Sequence, residues 1–291
     1  MLKKATLLHL RIPFSFFLMP VFAFALSLSE VWVTWKIVLI FVILHVFLYP
    51  ASNGFNSFYD KDEDSIGGLK YPPKVSEELL WTSLIFDGIA LALGVLLGWQ
   101  FVIGLLIYGL VSKAYSWDKI RLKKYPFISW TVAGFFQGFF TFLMVFQALN
   151  KADWEQVFQP KILTGAFLSS VLLWGFYPMT QVYQHKEDAR RGDMTLSRVL
   201  GIKGTFAFTA LLFGVAMAGF YYFFNKFYEP LFFYGFQFFL LPSLVFFLLW
   251  FFQVNRNLEK ANFDNTMRLN MISSVSTNSF FLLFAVFNYY L

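Results

Sequence analysis

The sequence predicts an all-α polytopic membrane bundle of about nine transmembrane helices, read as one domain over residues 1–291. Three observations carry that expectation. Of the 291 residues, 58% are hydrophobic and 14% charged, with a mean hydropathy of +0.60, a balance foreign to soluble domains. Apolar stretches near the ~20 residues needed to cross a bilayer recur along the whole chain. The basic residues, finally, segregate by loop.

The first span is expected at 12–29; no small-residue cleavage site follows it and further spans do, so it does not read as a removable signal peptide. The second, 35–58, contains His45 and Pro50, and the proline should kink it. His45 reads as a packed imidazole donating to a carbonyl rather than an acceptor-site base. Spans three and four, 79–98 and 100–116, are divided on length alone. Asp87 lies near the middle of the third, where a charge is costly and marks a functional site by default; its alternative is a carboxyl bonded to a neighbouring helix. Span five, 126–148, opens on Pro126 and carries Gly134 and Gly138, a spacing that permits close helix packing. Spans six to nine follow at 161–183, 204–225, 230–252 and 270–290. The 42 phenylalanines read as interhelical and lipid-facing packing before they read as a substrate wall.

Under that division Lys36, Lys151, Lys161 and Lys226 fall on one side, and the other nineteen of the 23 Lys and Arg on the opposite one. The positive-inside rule then places the N-terminus and the loops after spans two, four, six and eight in the cytoplasm, with the C-terminus outside. The net charge of +6 and pI near 9.3 come from these loops; they suit anionic headgroups or an anionic substrate and not nucleic acid. With no cysteine in the chain, disulfides, thiolate chemistry and Cys-ligated metals are excluded.

The polar motifs all fall on that basic side. In NSFYDKDED at 56–64, Asn56, Asp60 and Asp64 recur every four residues where the apolar segment runs out; at that spacing they form a stripe along one helix face while Asp62 and Glu63 point elsewhere. Two carboxylates on a stripe suit Mg²⁺, which prefers oxygen ligands and is usually completed by substrate phosphates, so the stripe reads as a diphosphate site. After span six, Gln184 and Asp188 repeat the four-residue spacing beside Glu187, with Arg190, Arg191, Asp193 and Arg198 following and Gly192 expected to end the helix. Between spans four and five, Tyr115, Arg121, Lys123 and Lys124 offer a hydroxyl and cations for phosphate.

Together these residues resemble the UbiA superfamily of intramembrane prenyltransferases. Its first motif, Asn-x3-Asp-x3-Asp, is complete at Asn56, Asp60 and Asp64. Its basic-loop pattern is matched by Tyr115, Ser116, Arg121, Leu122, Lys123 and Pro126, and its second motif by Asp188, Gly192, Thr195, Leu196, Leu200 and Gly201. Two departures mark an outlying branch: Gln184 stands where the second motif begins with aspartate, and Lys70 and Lys74 stand near where many relatives carry arginine before proline. A glutamine brings an oxygen but no charge, so one carboxylate of the second metal position is missing.

The resemblance implies nine spans and a Mg²⁺-dependent enzyme that moves a prenyl group from an isoprenyl diphosphate to an aromatic or quinone-precursor acceptor within the membrane. It implies catalytic roles for Asp60, Asp64, Asp188 and Arg121, with the three aspartates on the metal. Asn56, Tyr115, Lys123, Gln184 and Arg190 become the expected substrate-binding residues. Two further readings stay open: prenyl transfer to a non-aromatic lipid, and a transporter, whose carboxylates would lie nearer the midplane of broken helices.

Overall fold

The computed structural model describes residues 2–290. Among the described residues, nine long helices make up the bundle: α1 Lys4–Ser27, α2 Thr34–Asp60, α3 Glu77–Gly94, α4 Trp99–Ser116, α5 Pro126–Asn150, α6 Pro160–Gln181, α7 Leu196–Phe227, α8 Pro230–Arg256 and α9 Phe263–Tyr290. Seven of these are long and apolar enough to cross a membrane. The other two, α3 and α4, are 18 residues each, and α3 carries the carboxylates Glu77, Glu78 and Asp87, which lower its apolar character.

Most boundaries lie close to the expected ones; the larger differences include α9, which begins at Phe263 ahead of residue 270, and α8, which runs on to Arg256 past 252. Helix α1 begins at Lys4, ahead of residue 12. Helix α3 stops at Gly94, so the division from α4 falls earlier than expected; the connection ends on Gly98, whose φ of 122° favours glycine. Helix α7 starts at Leu196 instead of 204, because two helical pieces join across Gly201 at φ 68°.

Helices adjacent in sequence pack on one another, and α9 closes the arrangement by packing on both α8 and α1. That closure is aromatic. Phe24 of α1 stacks on Phe281 of α9 with ring centroids 4.3 Å apart, and meets Phe220 and Phe223 of α7 edge-on or tilted. The abundant phenylalanine is thus divided between interhelical core, as at Phe24 and Phe281, and the outer face of the bundle, as at Phe127, Phe238 and Phe252.

Two helices widen locally into π-turns, Ile43–Leu48 in α2 and Phe135–Phe140 in α5. In α2 the wide turn immediately precedes Pro50, which has no N–H to return to Val46 and whose ring would crowd an α-helical carbonyl there. The expected disturbance at Pro50 thus takes the form of a π-bulge. In α5 the bulge is held by Ser170 of α6, whose hydroxyl accepts from the Phe139 N–H and donates to the Gly134 carbonyl, both at 2.8 Å. Gly134 and Gly138 face α6 as the spacing predicts: a Cβ on Gly138 would lie 2.6 Å from the Ser170 backbone. Gly138→Ala should therefore push α5 off α6 and lower stability by about 1–3 kcal/mol, measurable as a lower midpoint of thermal unfolding in detergent.

His45 and Asp87, the intramembrane titratable residues singled out above, each meet a partner on another helix. His45 places Nδ1 3.1 Å from the Ser15 carbonyl and packs against the rings of Phe41 and Tyr49. Asp87 is bonded to a neighbouring helix, by an ion pair with Lys113 of α4 at 2.6 Å.

Candidate active site

The stripe Asn56, Asp60 and Asp64 requires a helix that runs to residue 64. Helix α2 instead stops at Asp60, where Lys61 turns left-handed (φ 50°) and its N–H closes the last turn on the Ser57 carbonyl at 2.9 Å. Four carboxylates in five residues explain the stop, because negative charge is unfavourable at a helix C-terminus. The stripe expectation is corrected accordingly. Asp62, not Asp64, faces inward and lines the cavity, whereas the Asp64 side chain is 58% exposed and pairs at the rim with Arg190 at 3.2 Å.

Asp60 is buried and surrounded by cations. Lys123 contacts its Oδ1, Arg121 lies 3.5 Å away and Arg191 3.8 Å. Behind it, Arg121 makes a two-pronged bond to Asp193, Nε to Oδ1 at 2.9 Å and Nη2 to Oδ2 at 2.8 Å. Arg121 itself sits on left-handed backbone, φ 46°, which points its fork back from the α4–α5 loop toward the acids. The Asp193 carboxylate brings its guanidinium further to the charged side of its ordinary range, against the opposing effect of burial.

The second constellation is not a continuation of α6. That helix ends at Gln181, and a short helix, His185–Arg191, starts anew beyond Gln184 and stops at Gly192, φ 73°, as expected. Asp188 lines the cavity and accepts from the Thr195 hydroxyl at 3.2 Å; Gln184 lines it too and donates to the Ser65 carbonyl at 3.3 Å. Burial first, with smaller contributions from Asp193 and Asp62, pushes the Asp188 carboxyl up to about 7 against the opposing effects of Lys123 and the Thr195 hydroxyl. Asp62 is pushed up to about 6, by burial first and then by Asp60.

Of the other expected residues, Asn56 lines the cavity and is fixed by donating to the Ser116 hydroxyl at 2.9 Å. Tyr115 also lines it, its hydroxyl bonded to that of Tyr177. Arg190 does not: it is half-exposed, bridging Asp64 and Glu187, and its neighbour Arg191 turns inward onto Asp62 at 3.3 Å and Glu187 at 3.3 Å.

Two residues were not expected. Arg11 is buried, lines the cavity, and donates to the Gly67 and Asn53 carbonyls at 3.1 and 3.2 Å; its signal in the sequence is a lone arginine just ahead of Pro13 at the head of an apolar run. Gln181, one turn before Gln184, presents a buried Oε1 with no hydrogen-bond partner.

The cavity these groups enclose measures about 240 Å³. It adjoins a second, mostly apolar chamber of about 190 Å³ between α1, α6 and α9, and the two share Phe14, Asn53, Gln137, Tyr177 and Thr180 as walls. Gln137 reaches that junction from within the π-turn of α5. Such an arrangement holds a charged group in one compartment and an apolar one in the next, with their join at a defined point. Among the described residues no three Asp, Glu or His side chains lie close enough to cage a metal by themselves.

Comparison with known proteins is consistent with this geometry. The model of the UbiA prenyltransferase family matches residues 17–274. Among solved structures, a UbiA homologue from Archaeoglobus fulgidus bound to GPP and Mg²⁺ is similar at 18% identity, covering 99% of this chain and 100% of its own with a TM-score of 0.68. The same homologue bound to DMAPP and Mg²⁺ gives 17% identity, the same coverage and a TM-score of 0.68. A digeranylgeranylglyceryl phosphate synthase is similar at 17% identity and a TM-score of 0.59, over 99% of each chain. No curated protein matches the chain.

Proposed function

The chain belongs to the UbiA prenyltransferase family and is an integral membrane prenyltransferase; from that premise we propose that it moves a prenyl group from an isoprenyl diphosphate to an electron-rich aromatic ring of the quinone-precursor class, with Mg²⁺ as cofactor and residues 1–291 working as one domain. The observation that carries this reading is the cavity of interleaved carboxylates and cations opening onto an apolar chamber. The bound GPP, DMAPP and Mg²⁺ of the Archaeoglobus fulgidus homologue support it.

The donor set fits a hard cation. Asp60, Asp62 and Asp188 bring carboxylates to one cavity, Gln181 brings an unpartnered buried oxygen, and the raised carboxyls of Asp62 and Asp188 are those a divalent ion would return to their charged form. Asp60 and Asp188 would hold the ion with Asp62, and Asp64 would reach it from the rim. Bound there, Mg²⁺ neutralises charge that develops on the departing diphosphate. Arg11, Lys123 and Arg191 face the same space and would take the remaining phosphate oxygens, while Arg121 keeps Asp60 and Asp193 in place and Arg190 guards the entrance. Asn56, tied to Ser116, and Gln184, tied to Ser65, orient neutral oxygens toward the substrate.

In the reaction the allylic C–O bond breaks with its electron pair leaving on the diphosphate, the prenyl carbon bonds to a ring carbon, and the ring loses its proton to the departing diphosphate. Tyr115 and Tyr177, bonded to each other, wall the place where this occurs, and their rings exclude water. Family membership sets the transporter reading aside, and the carboxylates stand at the ends of helices, not within broken ones. The distribution of nineteen basic residues against four supports an N-terminus and an active-site end facing the cytoplasm, with the C-terminus opposite.

The test is turnover by purified protein in detergent with Mg²⁺, labelled geranyl or dimethylallyl diphosphate and a panel of phenols and naphthols. Diphosphate and a prenylated ring should appear and should vanish with chelator; no product with any donor or acceptor overturns the proposal. A pH dependence follows from Asp188. Its carboxyl, raised to about 7, holds a proton that the metal must displace at lower pH. The Mg²⁺ concentration for half-maximal turnover should therefore rise roughly tenfold from pH 8 to pH 6. A requirement that is flat across this interval would remove Asp188 from the metal.

A further inference from the structure

The apolar chamber leads away from the polar compartment and has a closed end. Its walls run from Phe14 and Tyr177 at the junction to Phe24, Ser169 and Phe281 at the far end. Ser169 lies eight residues along α6 from Tyr177, about 12 Å at 1.5 Å per residue. The far-end walls, Val21, Phe24, Ser169, Thr277 and Phe281, are all buried, so the chamber has no opening to lipid there. Its floor is the stack of Phe24 on Phe281. Behind the stack stand Phe142 of α5, 5.2 Å from Phe24 between ring centroids, and Phe220 and Phe223 of α7, each at 5.6 Å. Rings packed on that many sides do not give way without disturbing the whole core. The hydroxyls of Ser169 and Thr277 are each spent on a carbonyl of their own helix, at 3.1 and 2.7 Å, so this end asks for no polar ligand. Size sets a limit. A cavity of ~150 Å³ takes up benzene, about 25 Å³ per carbon, so about 190 Å³ holds roughly seven or eight carbons. A dimethylallyl group has five carbons and a geranyl group ten, the first of which stay at the junction beside the diphosphate; a farnesyl group has fifteen.

We propose that the Phe24–Phe281 stack is the length stop for the prenyl donor, so that this chain takes the five- and ten-carbon diphosphates and rejects those of fifteen carbons and more. The inference rests on the prenyl-transfer reading and deepens it to the length of the donor. With the diphosphate held among the cations of the polar compartment, the prenyl chain runs into the chamber beside it. A third isoprene unit meets the two rings. To enter, it must force a packed aromatic core apart or draw the diphosphate out of its cations, and either discriminates against the longer donor. Phe24 and Phe281 touch only the far end of the chain, so they act on donor length and not on the bond that breaks.

The experiment follows the dimethylallyl, geranyl, farnesyl and geranylgeranyl series in two readouts. One is turnover of the diphosphates; the other is equilibrium binding, with Mg²⁺ and no acceptor, of the unreactive thiodiphosphates. In wild type the geranyl Kd should lie at least tenfold below the farnesyl Kd, and kcat/KM should fall in the same order. Phe281→Ala, or the milder Phe281→Leu where the first does not fold, should tighten farnesyl binding at least fivefold and leave dimethylallyl within twofold. Ser169→Leu fills the same end without removing a ring, and should weaken geranyl at least fivefold while dimethylallyl again holds within twofold. Equal binding across the series, tighter binding of the longer donors, or a length preference that no folded variant moves would each overturn the stop. Binding that depends on length and shifts as stated, without turnover in any protein, would uphold the stop while sinking the catalytic reading.

Discussion

Asp60→Asn should lower Mg²⁺-dependent prenyl transfer by about 10²–10³-fold, the scale on which enzymes lose rate when one preorganised electrostatic group is removed. The substitution keeps the size of the side chain and removes its charge. Three cations then face one another without the carboxylate that separates them, since Lys123, Arg121 and Arg191 all lie within 4 Å of Asp60 Oδ1. The proposed metal site loses its most deeply buried carboxylate at the same time, so the Mg²⁺ requirement should rise together with the fall in kcat. Both are read from initial rates across a Mg²⁺ titration in detergent. Asp64→Asn, at the exposed rim, should have the smaller effect of the two. Equal losses in both variants would return Asp64 to the inner metal shell, and wild-type rates in Asp60→Asn would remove Asp60 from it.

The second large effect is expected in stability. Asp193 is buried, accepts two bonds from Arg121 and lies 3.6 Å from Lys123. In Asp193→Ala the Arg121 fork keeps only the exposed Asp118 at 3.0 Å and a longer contact to Asp60. Removing one partner from a buried pair typically costs about 3–5 kcal/mol, because the other charge stays behind without compensation. For a chain of this size that corresponds to a fall of roughly 10 °C in unfolding temperature. Replacing both partners, as Arg121→Met with Asp193→Leu, should cost less than the sum of the single changes. An unaltered unfolding temperature in Asp193→Ala would show that the pair contributes nothing to holding the α4–α5 loop on the short helix.

The membrane bundle was legible in the sequence because its signal is redundant: length, hydropathy and charge asymmetry each point to the same spans. The acidic and basic motifs were legible as neighbours for the same reason, since all of them end on one side. What spacing did not show was direction within the loops. A four-residue period places Asp60 and Asp64 together only on a helix, and the run of acids that creates the period also ends the helix. Arg190 and Arg191 differ by one position on a short helix, which is enough to send one outward and the other into the cavity. Arg11 and Gln181 carry no motif; they matter because separate helices converge on one space, which only tertiary packing decides. The apolar chamber is likewise a product of how α1, α6 and α9 meet.

The widened turn of α5 also bears on how this chain is compared with its relatives. A π-turn holds one residue more than the helical turn it interrupts, so Phe135–Phe140 shifts the facing of everything beyond it by about 100° relative to a helix that lacks the bulge. A relative with a regular helix there should carry one residue fewer between Pro126 and Asn150. Aligned without a gap, it would match the residues beyond Phe140 to ones that face about 100° away. Two proteins could then look different at the junction of the chambers while being built alike, or look alike while presenting different side chains to the ring.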